Sequence, residues 1–176
     1  LDHHLHKEFL GEFFEVLAPV IADEFDVSGK DWSASALYQK CLRITPNYIR
    51  VDADELTYPL HVILRYRLEQ SLLSGDLPIK ELPSAWNDMF MKSFGFRPTN
   101  DSDGCLQDIH WYDGAFGYFP TYTLGAMAAA QLFSAAVEAE PKIPTKLEEG
   151  DFSDLLAWLR EHVHSWGSYY STDEII

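Results

Sequence analysis

The chain has 176 residues, 47% of them apolar and 23% charged, with a formal net charge of −15. That suits a globular domain with its own core, or part of a larger one. Thirteen Lys and Arg among 28 Asp and Glu leave no basic face for nucleic acid, and no run of about 18 apolar residues offers a membrane span.

Residues 3–25 show an apolar repeat of helical period through Phe9, Phe13, Val16, Leu17 and Val20, with a kink expected at Pro19. His3, His4 and His6 read as a frayed polar end. A loop over 27–32 follows, and Ser33 caps a short helix ending near Ile44. Residues 49–54 alternate apolar and polar, which fits either a short strand or an extended loop. A helix over 55–74 carries a stripe of Leu60, Ile63, Leu64, Leu68 and Leu72, and Gly75 is placed to end it. His61 on this helix is expected to be half-buried and hydrogen-bonded, and Arg65 and Arg67 to be solvated or paired with acids such as Glu69.

The next helix runs from Leu82 to Phe94, with Trp86, Met89 and Phe90 inward and Gly95 at its end. Residues 97–117 are mostly loop. A helix from about Phe119 to Glu138 is broken by Pro141 and Pro144, and a last one covers about 152–165. His162 and His164 diverge around it and read as surface residues. Ser171-Thr172-Asp173-Glu174 opens another helix. The pattern is all-α with at most a minor strand, a single helical region over 1–176. The start at Leu1 inside a helical pattern and the unfinished final helix suggest a piece of a longer protein. Cys41 and Cys105, 64 residues apart, are expected to be buried thiols, and the protein to be cytoplasmic with no signal peptide.

The densest chemistry lies between Gly104 and Tyr122. Gln107, Asp108, His110, Trp111, Tyr118 and Tyr122 crowd an otherwise apolar segment. An aspartate near a histidine can fix its tautomer and raise its basicity. Tyr118 and Tyr122 share a face if their segment is helical. An imidazole and a phenol aimed at one point can stabilise an oxyanion, and the same residues can equally be a network that pins a loop. Arg50 and Arg97 are candidates for binding an anion, since a guanidinium fork suits a carboxylate. Asp52 or Asp54 could instead neutralise Arg50.

Two stretches resemble a known family. Ile49-Arg50-Val51-Asp52-Ala53-Asp54 is similar to the I-R-x-x-A-D motif of the M32 metallocarboxypeptidases, the thermostable carboxypeptidase Taq family. Gly104-Cys105-Leu106-Gln107-Asp108-Ile109-His110-Trp111 is similar to their G-x-x-Q-D-x-H-W motif. The Phe116–Gly125 run and the spacing between the segments fit as well.

The resemblance implies an all-α, zincin-like fold of the neurolysin and angiotensin-converting-enzyme type. It also implies an enzyme that releases single residues from peptide C-termini with metal-activated water. The family's zinc, with cobalt as an alternative, is held by an H-E-x-x-H motif and a later glutamate. Neither motif is in this sequence, so the resemblance implies the C-terminal part of such an enzyme, with the zinc portion upstream and no metal ligand in this chain. It implies Arg50 and Tyr118 as binders of the substrate carboxylate, His110 and Tyr122 as oxyanion stabilisers, and Gln107 and Asp108 as their supports. It further implies a peptide C-terminus as partner, no nucleic acid or membrane partner, and a homodimer. The rival expectations are a non-catalytic helical domain that binds peptides or proteins, and a purely structural helical piece.

Overall fold

The computed structural model describes the backbone of residues 3–175 and the side chains of residues 11–175. The side chains of His3, His4, His6 and Phe9 lie outside the described residues. Eight α-helices are described: α1 (His3–Glu24), α2 (Ala34–Cys41), α3 (Tyr58–Ser74), α4 (Leu82–Phe94), α5 (Pro120–Ala139), α6 (Ile143–Glu148), α7 (Ser153–His162) and α8 (Thr172–Ile175). No strand occurs among the described residues. Residues 49–54 contain a single 3-10 turn, Arg50–Asp52, within extended chain.

The chain divides into two compact units, Leu42–Gly125 and the combination of Leu1–Cys41 with Ala126–Ile176. In the second of these, α1 packs on α2 through Phe14, Ala18 and Leu37. The expected inward stripe of α1 is therefore displaced: Phe13, Val16 and Val20 are exposed, while Phe14 and Ala18 are buried. Helix α1 carries apolar residues on more than one face, and the short α2 covers only one of them. Ser33 caps α2 as expected, accepting the amide of Ala36 on its Oγ at 3.3 Å. Cys41 is exposed rather than buried, because it ends α2 at the surface; Cys105 is buried. Pro144 does not break a helix but sits in the first turn of α6, where its missing N–H costs nothing. At α8, Ser171 donates its amide and hydroxyl to Glu174 Oε2, at 2.9 and 2.8 Å.

The Leu42–Gly125 unit holds α3 and α4. Its core gathers Leu64 and Leu68 from α3, Trp86 and Phe90 from α4, and Cys105 from the loop beyond. Phe90 and Phe94 stack at 4.3 Å between ring centroids, and Phe96 meets Phe90 edge-on at 5.5 Å. Asp54 opens α3 by accepting the amides of Leu56 and Thr57, at 3.0 and 2.9 Å, and also ties down the Thr45 amide at 3.0 Å. Gly75, at φ +83°, ends α3 in the left-handed conformation that a side chain resists.

The buried face of α3 is not the expected aliphatic stripe alone. His61, Arg65 and Glu69, one turn apart in succession, are all buried, whereas Ile63 is exposed. Arg65 is thus inside, not solvated, because the loop after α4 brings it a carboxylate and two aromatic faces. His61 is more deeply buried than expected, and its Nε2 has no hydrogen-bond partner among the described residues. Its ring lies against Phe94 at 4.6 Å, and burial, assisted by the Arg50 charge, pushes its pKa down to about 4.

Candidate functional site

The Leu42–Gly125 unit brings together Arg50, Gln107, Asp108, His110, Tyr118 and Tyr122, six of the residues singled out in the sequence. The junction is Asp108, only 7% exposed. It accepts from Arg50 Nε at 2.9 Å and Arg50 Nη2 at 3.0 Å, a side-on bidentate pair. Arg65 Nη1 adds a third bond to Oδ2 at 3.1 Å. Burial raises the Asp108 pKa, but the Arg50 hydrogen bonds and the Arg65 charge outweigh it and hold the carboxyl below its ordinary range. The acid that neutralises Arg50 is therefore Asp108; Asp54 is occupied as a cap.

Arg50 itself lies at the 3-10 turn. Its Nη1 donates to the Tyr58 hydroxyl at 3.3 Å. The guanidinium sits among three rings, 5.3 Å from the Phe119 centroid, 5.7 Å from Tyr122 and 5.9 Å from Tyr58. Its pKa is raised above the ordinary value, foremost by the Asp108 hydrogen bonds and against the effect of burial. Three of its five N–H groups are engaged by described residues. The remaining two are one each on Nη1 and Nη2.

Gln107 fixes the backbone on both sides. Its Oε1 accepts the Arg50 amide at 2.8 Å, and its Nε2 donates to the carbonyls of Tyr48, Asp103 and Gly104 at 3.0–3.1 Å. One amide group thus ties the 48–50 segment to the 103–107 segment.

His110 Nε2 and the Tyr122 hydroxyl share a hydrogen bond of 3.2 Å. The Tyr118 ring stacks on the His110 ring at 5.6 Å and meets Tyr122 edge-on at 5.4 Å. Tyr118 precedes the first turn of α5 and Tyr122 lies within it, which keeps the two phenols adjacent. His110 Nδ1 is buried without a partner among the described residues, and the nearest Asp108 oxygen is 3.8 Å away. At that distance the two groups interact through charge rather than through a hydrogen bond. Burial and the neighbouring Tyr118 phenol hold the Tyr122 pKa above that of a free phenol, so it remains a donor at neutral pH.

Arg97 does not join the group. It is 57% exposed and pairs with Asp88 at 2.7 Å. Three residues to which the sequence gave no part in the site do join it: Tyr58 on Arg50, Arg65 on Asp108, and Glu69 on the loop that follows His110. Tyr58 lies four residues beyond the Ile49–Asp54 stretch and carried no signal of its own. Arg65 and Glu69 carried none, since charged residues at helical spacing read as a solvated face.

This all-helical arrangement has the fold of the metallocarboxypeptidases. A structure of Trypanosoma cruzi metallocarboxypeptidase 1 aligns with 96% of this chain and 35% of its own, at 41% identity and a TM-score of 0.80. The M32 carboxypeptidase from Deinococcus radiodurans R1 aligns with 95% of this chain and 33% of its own, at 36% identity and a TM-score of 0.81.

The family model described as Carboxypeptidase Taq (M32) metallopeptidase matches residues 6–176, and the chain belongs to that family. Thermostable carboxypeptidase 1 of Pyrococcus furiosus is 38% identical over 165 residues, 94% of this chain and 33% of the relative. Carboxypeptidase 1 of Bacillus subtilis is 39% identical over 174 residues, 97% of this chain and 35% of the relative. The chain spans about a third of the length of the relatives it matches. The family implies a metal ion, yet no group of three or more His, Cys, Asp or Glu is gathered to hold one among the described residues. The described residues do not fit that metal by themselves. No described helix is long and apolar enough to cross a membrane.

Proposed function

We propose that this chain is the C-terminal portion of a cytoplasmic metallocarboxypeptidase that releases single residues from peptide C-termini. It forms the substrate-facing wall of the cleft, and the zinc is held by residues outside it. The homodimer and the lack of nucleic-acid or membrane partners belong to the same reading. The observation that carries it is the nearness of two kinds of donor. The Arg50 guanidinium lies 5.7 Å from the ring of Tyr122, whose hydroxyl is bonded to His110 Nε2.

Arg50 would take the terminal carboxylate on its Nη1/Nη2 edge while Asp108 holds the other edge. A cation gripped on one side loses little freedom when it grips a ligand on the other. Tyr118 closes over the same carboxylate. His110 and Tyr122 exchange their mutual hydrogen bond for one to the oxyanion that forms at the scissile carbonyl. Gln107 and Asp108 keep Arg50 and His110 in register.

The test uses the full-length enzyme on a blocked peptide with a free C-terminus and on its C-terminal amide. The free acid is cleaved and the amide is not. Arg50→Ala lowers kcat/KM by about 10- to 100-fold, the loss of one charged contact of about 1.5–3 kcal/mol. His110→Ala lowers kcat by about 100- to 1,000-fold, as for an oxyanion donor. Equal cleavage of acid and amide, or full activity of both variants, would overturn the reading.

A further inference from the structure

His110 and Tyr118 flank a loop whose first half is pinned by Gln107. Its second half is pinned from an unexpected quarter. Glu69, on α3 and only 2% exposed, accepts the Trp111 indole N–H on Oε2 at 2.7 Å. Its other oxygen, Oε1, accepts the backbone amide of Gly117 in a short bond. Trp111 directly follows His110, and Gly117 directly precedes Tyr118. Within the loop the His110 carbonyl accepts the Ala115 amide at 2.8 Å. Gly117 sits at φ +78°, which reverses the chain at the point where Glu69 seizes it.

Burying a carboxylate is costly, and an apolar or amide side chain would pack here at less expense of solvation. Two donors from two different parts of the loop explain the choice. A carboxylate accepts at both oxygens, whereas an amide accepts at one and presents a clashing N–H₂ at the other. The Arg65 guanidinium, one turn earlier on α3, lies 4.5 Å from the Trp111 and Phe119 centroids and supplies a compensating charge.

We infer that Glu69 is a positioning residue of the peptidase site: by tying Trp111 to Gly117 it sets the spacing of His110 and Tyr118. The inference rests on the proposed carboxypeptidase reading. It also separates two functions of the site. Arg50 is held by Asp108 and Gln107, neither of which is hydrogen-bonded to Glu69 among the described residues. Loss of the clamp should therefore disturb His110 and Tyr118 and leave the Arg50 contact to the carboxylate in place.

The experiment measures kcat and KM of the full-length enzyme carrying Glu69→Gln, Trp111→Phe or both, with thermal unfolding of each. Trp111→Phe removes the indole N–H but keeps a ring, and it carries the test if Glu69→Gln fails to fold. Each single variant is expected to lose kcat by about 10- to 100-fold, the scale of an ångström of misplacement, with any rise in KM smaller than the fall in kcat. The double variant is expected to be no worse than the poorer single one, because both break the same link. A kcat within about twofold of wild type in the folded variants would overturn the inference, as would a loss expressed in KM alone. So would a loss explained wholly by a smaller folded fraction. A wild-type enzyme without carboxypeptidase turnover would overturn the functional reading and this inference with it.

Discussion

Asp108 and His61 make the Leu42–Gly125 unit sensitive to acid in two separate windows. Asp108 is held ionised by Arg50 and Arg65, so its folded pKa lies below its unfolded one. Its contribution to stability is present above the ordinary carboxylate range and is lost as pH falls through the lower folded value. His61 differs in mechanism, because its burial favours the neutral ring. With a folded pKa of about 4 against about 6.5 unfolded, it resists protonation that the unfolded chain accepts freely. Stability attributable to His61 is therefore intact above about pH 6.5 and falls between there and about pH 4, by roughly 3 kcal/mol at most. Chemical denaturation of wild type and His61→Phe from pH 7 to pH 4 checks this. The wild type should lose stability over that interval by more than the variant does, whereas parallel curves would refute the assignment.

At the scale of elements, the I-R-x-x-A-D-like stretch proves to do two jobs. Arg50 faces the site, while Asp54 spends its oxygens on the start of α3 and the Thr45 amide. Asp54→Ala should lower stability by about 1–2 kcal/mol, the cost of a lost helix cap. The folded variant should keep its KM, since Asp54 touches none of the substrate groups. Denaturant melts with steady-state kinetics would show this, and a raised KM at unchanged stability would contradict it. Apart from α6, which the sequence reading did not place, the helices were legible. Periodicity, Ser33, Gly75 and Gly95 mark the elements to within a few residues, because caps and left-handed glycines act locally. Faces were less legible. Helix α1 turns Val16 and Val20 outward and α3 turns Arg65 and Glu69 inward, since only the packed neighbours decide which face has a partner.

For the whole molecule, the proposed reading places the metal ligands outside this chain. Zinc, if it is the family's metal here, needs about four ligands of N, O or S type. The described residues offer no cluster of even three His, Cys, Asp or Glu. The 176-residue chain, purified after exposure to zinc and dialysed, should hold far less than one equivalent by elemental analysis. It should also show no carboxypeptidase turnover. Stoichiometric zinc with turnover would sink the view that the metal half lies elsewhere.

The all-helical class and the grouping of Arg50 with the Gly104–Tyr122 segment could be read from the sequence alone. Periodicity reports helices, and two long motifs in order report a family. What the tertiary structure decided is the partnership of the charges. Asp108 reaches back 58 residues to Arg50 and 43 to Arg65, and Glu69 reaches forward 48 to Gly117. Such pairings leave no periodic trace, because they depend on which faces of α3 and the loop after α4 are pressed together. A buried charge shows itself only when its neighbours are in place.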